Sequence, residues 1–199
     1  MPVTPNTPYN AKNVLYGSQK LYVAPYGTPL PVINPGATPA ATTVTLDPAW
    51  GDGVGYTNAG STLEYAPTMK DIMVDEAMTP VAVLKTAEML KITTALSEAT
   101  LENLTFAISG ASFLEAAAGA GVADVATITV GGSQLFNAFA ACFVGVGAYG
   151  FPRVTVVYNC HSTAKISLAF KKDSEIMIPV ELSGLADTGL PGLLYQVKS

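Results

Sequence analysis

Charge is what this chain has least of. Only 13% of its 199 residues are Asp, Glu, Lys or Arg, about half the usual share of roughly 25%. A single histidine, His161, removes most nucleophile–base chemistry, which needs a base that titrates near neutrality. No Gly-x-Ser-x-Gly elbow presents a serine to it, and His161 reads as a surface or hairpin-end residue. Two cysteines, Cys142 and Cys160, are too few for a structural zinc, which wants four ligands at recognisable spacing. Their apolar, strand-like surroundings predict buried thiols rather than a disulfide.

Basic residues are scarce as well. Ten Lys and Arg against 15 Asp and Glu give a net charge of −5, and the basic residues form no cluster that would grip a phosphate backbone. Long apolar runs are also missing. The uncharged stretch between Asp124 and Arg153 is interrupted by Thr127, Thr129, Gly131, Gly132, Ser133, Gln134 and Asn137. A spanning helix needs about 20 predominantly apolar residues, so no membrane span is expected. The opening "MPVTPNTPYNAKN" has no apolar core, so no secretory leader is expected either.

Motifs that imitate chemistry have plainer readings. Asp71, Asp75, Glu76, Glu98 and Glu102 lack calcium-loop spacing and read as a solvated strand face and a helix start. "GVGAYG" matches a dinucleotide fingerprint but leads into Phe151-Pro152 and a β pattern, not a crossover helix. The triplet "NLT" at Asn103 lies inside a predicted helix and reads as chance. No catalytic, metal or cofactor-binding residue is expected, and the chain reads as a non-enzyme.

What remains is apolar. Hydrophobic residues make up 49% of the chain, and mean hydropathy is +0.36. With no membrane span to absorb it, so much apolar surface predicts burial against other copies of the chain.

The pattern along the chain is mainly β. Residues 1–13 read as an extended arm, and "QKLYVAPYG" as a strand. Thr28 to Gly55 is a long Pro-, Ala- and Thr-rich loop with Trp50 near its end. Thr62 to Ala66 predicts a short strand halted at Pro67. "MKDIMVDE", "TPVAVLKT" and "EMLKITTALS" continue a meander. Ser97 as N-cap, an apolar face of Leu101, Leu104 and Ile108, and Gly110 as stop predict one helix over 98–109. "SFLEAAAGAGVAD" reads as a loop, and Leu135 to Val146 as a buried strand or short helix. "VATITV", "RVTVVYNCH", "AKISLAFK" and Ile176 to Leu182 read as strands, the last two as a hairpin, and "LLYQV" is a short apolar tail. One helix among many strands predicts a mainly β single domain, a sandwich or small barrel.

In this order the segments resemble the major tail (tail tube) proteins of long-tailed bacteriophages. The likeness runs through "LYVAPYGT", "GYTNAGSTLEYAP", "DIMVDEAMTPV", "ITTALSEATLENLTFAI", "VGAYGFPRVTVVY" and "IPVELSGLADTG", roughly Leu15 to Val197. It implies a β-sandwich or barrel-like subunit with one flanking helix. Six copies would form a ring, and rings would stack into a tube that DNA traverses without specific binding. The partners so implied are further copies, tape-measure and tail-tip or terminator proteins. The implied location is the virion, after assembly in the host cytoplasm. By position, the arm, the 28–55 loop or the stretch from Thr68 to Thr79 would contact neighbouring subunits, with Trp50, Tyr56 and Tyr65 as candidate contact residues. Two alternatives stay open: a ring-forming tube protein of a contractile secretion system, and a secreted adhesin or pilus-like β-domain carrying a Cys142–Cys160 bridge.

Overall fold

The computed structural model describes residues 19–75, 78–116, 125–132, 136–168, 172, 175–185 and 192–196. The 1–13 arm lies outside them. Eleven strands and one helix follow in chain order: β1 (Lys20–Pro25), β2 (Val32–Asn34), β3 (Thr43–Thr45), β4 (Thr57–Ile72), β5 (Ala82–Leu96), α1 (Leu101–Ala107), β6 (Ser112–Ala116), β7 (Val125–Thr129), β8 (Phe139–Val146), β9 (Pro152–Ser162), β10 (Ile178–Gly184) and β11 (Gly192–Gln196). The fold is mainly β with a single helix, as the sequence pattern predicts.

Seven strands make one antiparallel sheet in the order β1-β8-β9-β10-β5-β4, with β11 also paired to β9. This sheet is curled. The Val54 amide donates to the Leu21 carbonyl on β1 at 3.0 Å, and two residues later the Tyr56 carbonyl accepts from Ser97 at the end of β5 at 2.9 Å. In a flat sheet β1 and β5, four strands apart, would stand about 19 Å from each other. Two residues span less than about 8 Å, so the sheet must close part-way on itself.

The curl encloses the main core. Leu21 and Val23, Phe139 and Phe143, Val157 and Cys160, Ile178 and Leu182, and Ile92 and Leu96 pack there from five strands, with Leu104, Phe106 and Ala107 of α1 against them. Alternation produces this directly: every second residue of β10 (Ile178, Val180, Leu182) points inward. A second cluster sits on the outer face of β1, β8 and β9, where Trp50 packs with Cys142, Val154 and Val156 beneath Ile33 and Val44 of the β2–β3 hairpin.

Several local expectations are corrected. The helix spans Leu101–Ala107, not 98–109, because Ser97 gives its amide to Tyr56 and Thr100 becomes the N-cap, accepting from the Asn103 amide at 3.2 Å. Glu98 lies before the helix. The 28–55 loop holds two three-residue strands and two 3-10 turns, each turn with proline at its start. Pro67 does not halt its strand: β4 runs through it for 16 residues, and β4 is an edge strand, where proline is tolerated. Ser112–Ala116, expected as loop, is β6 paired to β7. Residues 163–168 form no strand. β10 pairs with β5 and β9 instead, although Ile166 and Leu168 still pack on the core.

Asn103 is buried, and its amide group donates to the carbonyls of Val54 at 3.1 Å and Glu98 at 2.8 Å. The "NLT" triplet is thus a structural tie between the helix, the loop before β4 and the end of β5.

Cys142 and Cys160 are both buried and free, and they serve opposite faces of the sheet, one in each core cluster. The bridge required by the adhesin alternative is therefore absent. Burial pushes both thiols up from 9.0 to about 12, because an apolar interior disfavours the thiolate. The neutral thiols thus add stability that is whole below pH 9 and is lost as pH rises toward about 12, where the unfolded chain already ionises. Urea midpoints should therefore fall above pH 9, and a Cys142→Ala/Cys160→Ala variant should show a shallower fall. Thiol titration should find two reactive groups per chain after unfolding without reductant and almost none before.

Candidate assembly interface

The stretch "GYTNAGSTLEYAP" opens β4, and two glycines set its path. Gly55 takes φ 81, a left-handed conformation, while the Glu98 carboxylate accepts from the Tyr56 amide at 2.9 Å in the space a Cβ would occupy. Gly60 takes φ 78, a left-handed conformation that favours glycine, where the β4–β5 register shifts between Asn58 and Ser61. Thr94 Oγ1 donates to the Gly60 carbonyl at 3.0 Å and secures the register shift.

Beyond this root the two strands leave the body of the protein. β10 supports β5 only from Lys91 to Leu96. From Tyr65 to Ile72 and from Ala82 to Leu90, β4 and β5 pair only with each other. The eight β4 residues of this free ribbon span about 25 Å. Along it every residue of β5 from Ala82 to Met89 is exposed.

The exposed residues are not the polar set that a solvated ribbon would carry. Register places Tyr65, Met69 and Val83 on one face, and Ala66, Ile72, Leu84 and Met89 on the other. Met69 is 56% exposed, Val83 61% and Leu84 55%, and Met73 and Met78 in the turn are as open. Four of the chain's six methionines, Met69, Met73, Met78 and Met89, lie in the arm and its turn. An isolated two-stranded hairpin is marginally stable in water at best, and one with apolar residues on both faces needs cover.

A small polar cluster stiffens one face. Tyr65 donates its hydroxyl to Glu88 at 2.8 Å, and Lys85 reaches the same carboxylate oxygen at 2.7 Å. The Lys85 hydrogen bond, followed by that of Tyr65, lowers the Glu88 pKa. Nearer the root, Lys91 bridges to Glu181 of β10 at 2.8 Å across the outer face, and this contact is the main cause of the lowered Glu181 pKa.

Of the three candidate contact residues, two are exposed and one is not. Tyr56 is 80% exposed and Tyr65 52%. Trp50 is only 1% exposed, and its indole N–H donates to the Pro29 carbonyl at 2.9 Å. Its side chain is packed into the outer core and is not an exposed contact residue on the free chain. The stretch from Thr68 to Thr79 was named only as a segment, and Val83, Leu84 and Met89 were missed, because their alternation fits a strand with one buried face equally well. His161 is half-buried, with its ring tilted against that of Phe136 at 4.9 Å. Among the described residues no group of acids, cysteines and histidines could hold a metal, and no helix is long and apolar enough to cross a membrane.

No protein-family model and no curated protein matches the chain. The geometry of the arm therefore carries the functional reading.

Gly60→Ala should cost about 1–2 kcal/mol, the penalty of a left-handed non-glycine residue. Gly55→Ala should cost more, since it also displaces the Glu98 carboxylate. Urea unfolding of the two variants checks the order.

Proposed function

We propose that this chain is a structural subunit that assembles with copies of itself into rings and stacked tubes, of the kind found in bacteriophage tails. The carrying observation is the free β4–β5 ribbon, about 25 Å of two-stranded sheet with apolar side chains on both faces. A second support is the outer edge of β4, whose 16 residues end the sheet order and offer an unpaired ladder to another chain. The net charge of −5 suits a conduit that DNA crosses without sticking. In this reading the tube belongs to a virion, and its ends meet tape-measure and tail-tip or terminator proteins.

Negative-stain microscopy of concentrated protein should show rings or tubes. Replacing residues 66–89 by an Asn-Gly turn should leave a folded, monomeric body, because both core clusters draw only Leu90 and later residues from β5. A wild-type protein that stays monomeric at high concentration, by sedimentation and by microscopy, would overturn the reading.

A further inference from the structure

The arm has a matching recess on the same chain. A cavity of about 320 Å³ opens between the 49–54 segment, α1 and β6. Val54, Phe106 and Phe113 form apolar walls, and the carboxylates of Asp52 and Glu102 stand at its rim. Asn103 fixes the cavity's shape through its two bonds to Val54 and Glu98. Neither Asp52 nor Glu102 is in an ion pair among the described residues.

The arm carries the complementary chemistry on one face. Lys70 pairs directly with Leu84, and Ile72 with Ala82, so Lys70, Ile72 and Leu84 project together. Asp71 points the other way. The arm's other cation, Lys85, is already held by Glu88, whereas Lys70 is in no ion pair among the described residues. This face therefore joins two exposed aliphatic side chains to an available ammonium group, opposite a recess of aromatic walls and two available carboxylates.

The two features cannot meet within one molecule. The recess adjoins the start of β4, and β4 then runs 16 residues away from it, about 50 Å at the rise of an extended strand.

We infer that the Lys70/Ile72/Leu84 face of the arm docks into the Asp52/Glu102 recess of a second copy. Such a contact joins two different surfaces of the same chain, so it propagates into a ring or a file instead of closing a two-fold dimer. This inference rests on the self-assembly reading and names the surfaces that carry it.

A charge swap tests it, read by sedimentation across a concentration series, with thermal melting to verify each fold. Lys70→Glu and Asp52→Lys are both exposed changes, and each should raise the concentration for half-assembly about tenfold or more, because like charges then face each other. The double variant should recover most of the loss. If wild type assembles but the single variants match it, or the double is no better than the worse single, the docking is wrong and self-assembly stands. If wild type does not assemble, both fall. As an independent readout, Leu84→Cys and Ala49→Cys proteins are mixed and oxidised, with the native thiols buried and silent. A disulfide joining the two variants is expected, and its absence from a mixture that does assemble would overturn the docking.

Discussion

A two-stranded ribbon has no second layer, and this constraint governs the rest of the structure. The body of the protein satisfies its own apolar surface by curling the seven-stranded sheet around α1 and laying a small hairpin over the outside. The ribbon has no such recourse. Beyond Leu90 and Tyr65 each strand has one neighbour, and both faces meet water. In the assembly proposed above, another copy would supply the cover that the ribbon lacks, and the chain's low charge accords with that.

The body, in turn, is built to hold that ribbon at a fixed angle. The register shift at Gly60, the Thr94 hydroxyl on its carbonyl, the Glu98 carboxylate on the Tyr56 amide and the Asn103 ties all converge at the root. Hydrogen bonds of this kind contribute about 1 kcal/mol each, but their positional role is greater. They couple the helix, the end of β5 and the start of β4 into one rigid corner. If the arm docks as proposed, one set by this corner would lose less entropy than one on a loose hinge.

Much of the body was legible in the sequence, and the reason is periodicity. β10 has one buried face, so its alternation predicts both its existence and its orientation, whereas β1 and β9 are covered on both faces and read as strands from their apolar, β-branched composition. The burial of Cys142 and Cys160 followed from the same context. What escaped was decided by tertiary context. β2 and β3 are three residues each, too short to show a period. Pro67 reads as a breaker unless the strand is known to be an edge. Ser97 and Glu98 read as cap and first turn until their polar groups are seen to be engaged by Tyr56. The arm was legible as strands but not as an arm, because alternation records which residues share a face and not what covers it. Trp50 was the costliest inference: a lone indole in a Pro-rich segment reads as a contact, yet the segment folds back through Pro48 and buries it.

The recess lies beside the first residue of β4 and the turn lies past the last, so the molecule has a head and a tail along the strand axis. A stack of such units inherits that polarity. Under the proposed docking, one terminus would present bare ribbons and the other vacant recesses, two surfaces of different chemistry. Growth from one end and arrest at the other would then be separate chemical problems, without any change in the repeating unit itself.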